Sequence, residues 1–237
     1  MFRLAIYSEG SQAQTWRVSV ESLSLRSVSS FRVLEMNIAI IGAGNIGECL
    51  GRKWKPNHNV ILGVRDPESE KSTALAGKGF NIGTVQNAAD RAEIVVLAVP
   101  ASAVESVVKG TRGLANKIII DVTNPISTPV PEGFQSMAEA VAEWSGSSKV
   151  VKTFNQTGSA NLENPKYGDI VLDTLICGDD DEAKSKAAAL GKELGFEPVD
   201  AGGLDNASLL ESMAKLWVTL AFFKGKGPEI AFKLLKR

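Results

Sequence analysis

With 237 residues, 44% hydrophobic and 22% charged, the chain has room for one large α/β domain or two small ones and the composition of an ordinary globular protein. A formal net charge of −1 provides no basic field for nucleic acid or an anionic membrane, and no apolar run approaches the roughly 18–20 residues that span a bilayer. One histidine and two distant cysteines, Cys49 and Cys177, cannot form a zinc set; both thiols read as small buried hydrophobes in a reducing, cytoplasmic compartment.

In chain order, Met1–Glu35 is serine-rich and shows no sustained apolar period. It lacks the apolar core of a secretory signal, and Glu9, Glu21 and Glu35 argue against an organelle transit peptide. Met36 stands immediately before the first strand, so the expectation is that Met36 is the true start and residues 1–35 are a start-site artefact or a disordered extension. From there apolar runs predict strands near 37–41, 60–64, 93–99, 117–121, 149–154, 171–177 and 196–200, with a short one at 81–83. The runs at 93–99 and 117–121 are apolar without alternation, as in strands covered on both faces of a parallel sheet. Helices are predicted near 46–54, 67–77, 101–109, 133–144, 179–194 and 205–224, with Asp179 capping the fifth. The βαβ rhythm predicts an α/β fold, a doubly wound, mostly parallel Rossmann-type sheet with right-handed crossovers. On the last helix Leu209, Leu210, Met213, Leu216, Trp217 and Leu220 form an apolar stripe, either core or a dimer face.

The first strand runs into Gly42-Ala43-Gly44-Asn45-Ile46-Gly47 and then a helix. That context assigns each glycine a role in holding a dinucleotide diphosphate: the tight turn at Gly42, backbone approach at Gly44, and close helix packing at Gly47. The diphosphate then meets the unpaired N–H groups at the helix start. An NAD-binding unit carries an acid about 20 residues on, at the end of the second strand. Here Gly63 or Val64 fills that slot and Arg65 follows, which predicts NADP(H), with Arg65 on the 2′-phosphate. Ser69 and Lys71 add a hydrogen bond and a charge if the next helix start turns inward; Asp66, before Pro67, fits a turn or cap.

Ligands of open α/β sheets bind at the carboxyl ends of the strands. His58 precedes the second strand, at the opposite edge, and is expected to be a surface loop residue without a catalytic role. The correct edge carries Ala98-Val99-Pro100, Thr123-Asn124-Pro125 and Phe154-Asn155-Gln156-Thr157-Gly158. These are amides, hydroxyls and backbone groups; Lys152 and Asp121 nearby read as a structural ion pair. No catalytic acid or base is assigned. Such a site suits hydride passing directly between two stacked ring cofactors.

Five segments together give a resemblance: Gly42-Ala-Gly44-Asn-Ile-Gly47, Gly63-Val-Arg65-Asp-Pro67, Asp121-Val-Thr-Asn124-Pro125, Val151-Lys-Thr-Phe154-Asn155 and Val199-Asp200-Ala-Gly202-Gly-Leu204-Asp-Asn206. From about Met36 to the C-terminus the chain resembles the NADPH-dependent deazaflavin (coenzyme F420) reductases. The resemblance implies two lobes, 36–157 binding NADP(H) and 158–237 completing a cleft, often in a homodimer. It places NADP(H) on Gly42–Gly47 and Arg65 and the second cofactor over the nicotinamide in a cleft between the lobes; the carboxyl-edge residues Ala98, Val99, Pro100, Asn124 and Asn155 are expected to bind cofactor as well. The acceptor it implies is coenzyme F420 or a flavin; ordinary flavins and quinones serve some members. The family is similar in its nucleotide half to the cytosolic domain of membrane ferric reductases. Members commonly carry a serine before the arginine, where this chain has Val64, so its NADP preference is expected to be weaker.

Two other readings stay open. A pyrroline-5-carboxylate reductase or hydroxyacid dehydrogenase needs a larger helical C-terminal domain than the 37 residues after Asp200 supply. A non-catalytic redox sensor that binds NADP(H) is compatible with the missing acid–base residue.

Overall fold

The computed structural model describes residues 35–237; the reading of the N-terminal segment lies outside them, up to residue 34. The chain runs β1 (Asn37–Ile41), α1 (Asn45–Trp54), β2 (Asn59–Val64), α2 (Glu70–Gly77), β3 (Asn81–Thr84), α3 (Val85–Arg91), β4 (Ile94–Leu97), α4 (Ala101–Gly110) and β5 (Ile118–Asp121). It continues through α5 (Met137–Ser145), β6 (Val150–Lys152), α6 (Ser159–Glu163), β7 (Lys166–Tyr167), β8 (Ile170–Val171), β9 (Asp173–Gly178), α7 (Asp181–Glu193), β10 (Glu197–Asp200) and α8 (Ala207–Val218). A π-helical turn, Thr219–Phe223, extends α8.

Eight strands form one sheet in the order β10-β9-β6-β5-β4-β1-β2-β3. Strands β1 to β6 pair in parallel, β9 joins β6 antiparallel, and β10 runs parallel to β9. The chain steps outward from β1 in one direction through β2 and β3, then returns and steps the other way through β4, β5 and β6. Right-handed crossovers made in opposite directions put their helices on opposite faces. Accordingly Ile38 and Ile40 of β1 meet α1, α2 and α7 in one core, while Ala39 and Ile41 meet α3, α4 and α5 in the other. The two-residue side-chain period of the strand thus builds both cores, which explains why these strands read as unbroken apolar runs.

Several elements differ from expectation for local reasons. The cap of α7 is Asp180, whose carboxylate accepts the Ala183 N–H at 2.8 Å. Asp179 instead accepts from Leu204 N, tying the start of α7 to the turn before α8. Helix α5 begins at Met137, later than predicted, where the Ser136 hydroxyl caps Glu139 N. The short helices α3 and α6 and the β7–β8 hairpin are too brief to show a period. His58 lies at the amino edge of the sheet as expected, but it is buried and not a surface residue. Its Nδ1 accepts the Met36 N–H at 3.2 Å, so Nε2 carries the proton toward Glu193 Oε1 at 3.0 Å. The ring therefore fastens β1 to α7.

The described residues all fall in one compact unit. The expected boundary at 157/158 falls after β6, where the parallel run ends; the segment beyond it contributes β9 and β10 to the same sheet. Pro198 and two acids on β10, an edge strand, discourage further strand pairing. Both cysteines are free and buried, and burial pushes the Cys177 thiol up to about 12. Among the described residues no helix is long and apolar enough to cross a membrane.

Candidate functional site

The sheet reverses its strand order between β1 and β4, and there the loops after the two strands diverge. Gly42 N donates to Gly63 O at 3.0 Å and Ala98 N donates to Ile41 O at 2.8 Å, fixing both loops to the sheet edge. Gly42 sits at φ +106°, and a Cβ there would lie 2.5 Å from Ala98 O, so the turn tolerates only glycine. A Cβ on Gly47 would lie 1.9 Å from Gly42 O, which is how α1 starts so close to the strand. Gly44 behaves differently: a Cβ there meets no protein atom within 4 Å. The fold leaves that space open, as a cradle for a diphosphate requires. Gly44 is also the N-cap of α1 and offers no side-chain cap, so the first-turn N–H groups at Asn45, Ile46 and Gly47 lack intrahelical partners.

The open side of Gly44 faces a cavity of about 690 Å³, lined by Gly42–Gly44, Gly63–Asp66, Ser69, Lys71 and Ala98–Pro100, with α4 as its far wall. Its volume and shape at the switch point fit a dinucleotide. Arg65 and Lys71 bring two exposed cations to one end. The hydroxyls of Ser69 and Ser72 both lie within donating distance of the Asp66 carbonyl, at 2.9 and 2.7 Å. Ser69 also caps α2 by accepting Ser72 N. These hydroxyls are thus committed to the turn, and recognition of a phosphate falls mainly to the two cations. The Asp66 carboxylate accepts Glu68 N at 2.9 Å, the turn role expected of it.

A second cluster occupies the carboxyl ends of β5 and β6. Lys152 is completely buried; its ammonium donates to Asp121 Oδ2 at 2.8 Å and Thr123 O at 2.5 Å and forms an ion pair with Glu211 Oε1 at 2.9 Å. Glu211 also accepts Met137 N, an orphan donor at the start of α5. Burial alone would lower the Lys152 ammonium; Asp121 and Glu211 outweigh it and hold it above the ordinary lysine value. Burial raises the Glu211 carboxyl despite the pull of Lys152. Asn124 and Asn155 pair reciprocally: Asn124 Nδ2 donates to Asn155 O at 2.7 Å, and Asn155 Nδ2 to Asn124 Oδ1 at 2.9 Å and Leu210 O at 3.1 Å. The backbone carbonyls at each end only accept, so both amide orientations are determined. Between Lys152 and Asn155, Phe154 adopts φ +55°, a left-handed conformation costing about 1–2 kcal/mol for a side-chain-bearing residue. Its ring packs on Trp54 at 5.8 Å, while Asn155 turns to the Asn124 side.

The structure therefore brings Gly42, Ala43, Gly44, Arg65, Ala98, Val99 and Pro100 to one cavity. Asn45, Ile46 and Gly47 form the helix start beside it. Asn124 and Asn155 belong to the adjoining cluster and are not among the cavity's lining residues. Sequence reading missed Ser102, Ser106 and Val107 on the cavity wall, since their positions on α4 carry no motif. It also missed Glu211, whose one visible signal is an acid between apolar residues of the last helix.

The family model for NADP oxidoreductase, coenzyme F420-dependent, matches residues 37–125. The F420-dependent NADP reductase of Methanothermobacter thermautotrophicus is 30% identical over 217 residues, 80% of this chain and 90% of the relative. That of Methanocaldococcus jannaschii is 28% identical over 222 residues, 82% of this chain and 97% of the relative. A crystal structure from Arthrobacter sp. FB24, of a protein assigned as an F420-dependent NADP reductase, superposes with a TM-score of 0.75 at 26% identity. It covers 85% of this chain and all of the other.

Proposed function

We infer the activity from family and site together: the chain belongs to the F420-dependent NADP reductase family, and it is an NADP(H)-dependent oxidoreductase that passes a hydride between NADPH and a deazaflavin acceptor. The observation that carries this is the cavity at the switch point. It has an open glycine cradle in the middle, two cations at one end and the Ala98–Pro100 turn at the other. The diphosphate rests on Gly42–Gly47, and Arg65 and Lys71 hold the 2′-phosphate. Among the described residues lining the cavity, the titratable side chains are Arg65, Asp66 and Lys71, all at the phosphate end. Bound NADPH supplies the hydride. The residues at the nicotinamide end, Ala98, Val99 and Pro100, orient a ring and exclude water, and they move no proton.

Asn124 and Asn155 shape the adjoining edge, where the acceptor ring lies over the nicotinamide, and residues 158–237 wall that cleft. The protein works in the cytoplasm as a homodimer. Steady-state oxidation of NADPH with a deazaflavin, FMN, FAD and a quinone tests the reading. Turnover is expected to be fastest with the deazaflavin. Tight NADPH binding with no turnover on any acceptor would overturn it in favour of a redox sensor.

A further inference from the structure

We propose that Phe154 is a positioning residue for the hydride transfer: its left-handed backbone, anchored by its ring between α1 and α7, carries Asn155 onto Asn124 and so fixes the edge on which the acceptor lies. The proposal rests on the deazaflavin reading above and names a residue that acts on that edge through its neighbours.

Among the described residues Phe154 is the one residue other than glycine with a positive φ, +55°. A bulky side chain holds that conformation only where its surroundings impose it, and such residues gather at functional sites. Here the core imposes it. Phe154 is buried, its ring centroid lies 5.8 Å from that of Trp54 on α1, and a Cβ on Gly191 of α7 would lie 3.4 Å from the ring. Trp54 is itself fixed, since its Nε1 donates to Leu190 O at 3.2 Å.

The left-handed residue changes the face that the chain presents. Along β6 the side chains alternate. Val151 enters the core shared with α1 and α7, Val150 enters the other core, and Lys152 meets Glu211 of α8. Continued alternation would send Phe154 to the side of Lys152 and Asn155 to the side of Val151. The reverse is found. Phe154 packs in the core of Val151, and Asn155 Nδ2 donates to Leu210 O of α8 and to Asn124 Oδ1. Without the left-handed turn Asn155 would leave Asn124, whose own amide donates to Asn155 O.

The next two residues carry a cost as well. Asn155 Oδ1 and Gln156 Oε1 are buried and have no hydrogen-bond partner among the described residues. Neither amide can turn to relieve this, because Leu210 O and Asp173 O accept from the two NH2 groups. Residues 154 to 156 thus each hold an arrangement that local energetics disfavours, in one stretch at the carboxyl edge of the sheet. Such a concentration marks a segment held in place for a ligand.

Glycine and alanine at position 154 test this, because both remove the ring and glycine alone takes a positive φ freely. Phe154→Gly is therefore expected to melt at a higher temperature than Phe154→Ala. In stopped-flow single turnovers of bound NADPH with a deazaflavin, folded Phe154→Ala is expected to transfer hydride at least about tenfold more slowly than wild type, since a misplacement of about 1 Å can cost about a hundredfold. Phe154→Gly is expected to recover about fivefold of that loss, because it keeps the left-handed turn at no steric cost. NADPH affinity is expected to be unchanged in both, as the glycine cradle lies at the far end of α1 from Trp54. A wild-type rate in folded Phe154→Ala, or a rate above that of Phe154→Gly, overturns the proposal. So does a loss of NADPH affinity as large as the loss of rate, which would mark a general structural role. A wild type that binds NADPH and reduces neither a deazaflavin nor a flavin overturns the underlying reading too. If neither variant folds, Phe154→Leu keeps the apolar bulk without the ring's fit and is expected to slow transfer about threefold; an unchanged rate there overturns the proposal.

Discussion

Replacing Arg65 with alanine probes the step from a generic dinucleotide site to an NADP(H) site. Arg65 is exposed at the mouth of the cavity, with Lys71 on the same rim. A charge-assisted hydrogen bond to phosphate contributes about 1.5–3 kcal/mol, and exposure to solvent places this one at the lower end. About 1.5 kcal/mol corresponds to roughly a tenfold loss of NADPH affinity. NADH has no 2′-phosphate, so its affinity should be nearly unchanged and the NADPH/NADH ratio should fall by the full factor. Because the serine hydroxyls are engaged by the Asp66 carbonyl, the preference rests on charge and should shrink with salt. The Debye length falls from about 8 Å at physiological ionic strength to about 3 Å at 1 M. Fluorescence titration of both nucleotides at 0.05 and 0.5 M salt measures all of this. Equal losses for NADPH and NADH in the variant would refute the assignment of Arg65 to the phosphate. A wild-type ratio insensitive to salt would refute the charge-based account.

Gly44→Val should leave the melting temperature nearly unchanged, since a Cβ at Gly44 meets no protein atom, while abolishing NADPH binding; retained affinity would remove the cradle from the site. Lys152→Met leaves Asp121 and Glu211 buried without their cation and should cost about 3–5 kcal/mol in urea unfolding. A cost below about 1 kcal/mol would mean that the cluster carries little of the fold. Asp200 accepts the Gly202 N–H and pairs with Lys184, which together hold its carboxyl below the ordinary aspartate value. It therefore contributes stability that is present above the ordinary value and is lost as pH falls through the depressed one. Asp200→Asn should make the acid limb of the stability profile shallower, and an unchanged limb in acid titration of unfolding would contradict this.

The sheet was legible because its strands are covered on both faces, so their apolar runs are unbroken, and because glycines and prolines punctuate them. The strand before the glycine turn, the arginine at the second strand end and the carboxyl-edge rule together point to the cavity. His58 was misplaced because a lone polar residue before a strand usually lies in a loop; what buries it is α7, 135 positions away in the chain. Nothing local to residue 58 announces Glu193. The last helix posed a related limit. Leu209 and Leu210 are equally apolar in sequence, and only the seating of Leu210 and Trp217 against the sheet leaves Leu209 and Leu216 outside. Glu211 was hidden because an isolated acid in an apolar helix has no meaning until the lysine it faces, on β6, is known.

The buried cluster also bears on the chemistry of the neighbouring site. A lysine at the carboxyl edge of a Rossmann sheet is a natural candidate for a proton donor to a reduced carbonyl or imine. Lys152 is poorly suited to that role. Its ammonium is completely buried, hydrogen-bonded to Asp121 and Thr123 O and paired with Glu211, so it does not reach a substrate. Its two carboxylate neighbours hold the proton more tightly than an ordinary lysine does, whereas a general acid working near neutral pH needs it held less tightly. The Asn124–Asn155 pair beside it does not titrate. An edge so furnished can hold two rings in register and keep water out, and it favours acceptors that take hydride directly over simple ketones or imines that need a proton delivered at the same moment. The cation, read from the sequence as half of a structural ion pair with Asp121, locks β5, β6, α5 and α8 together beneath the site.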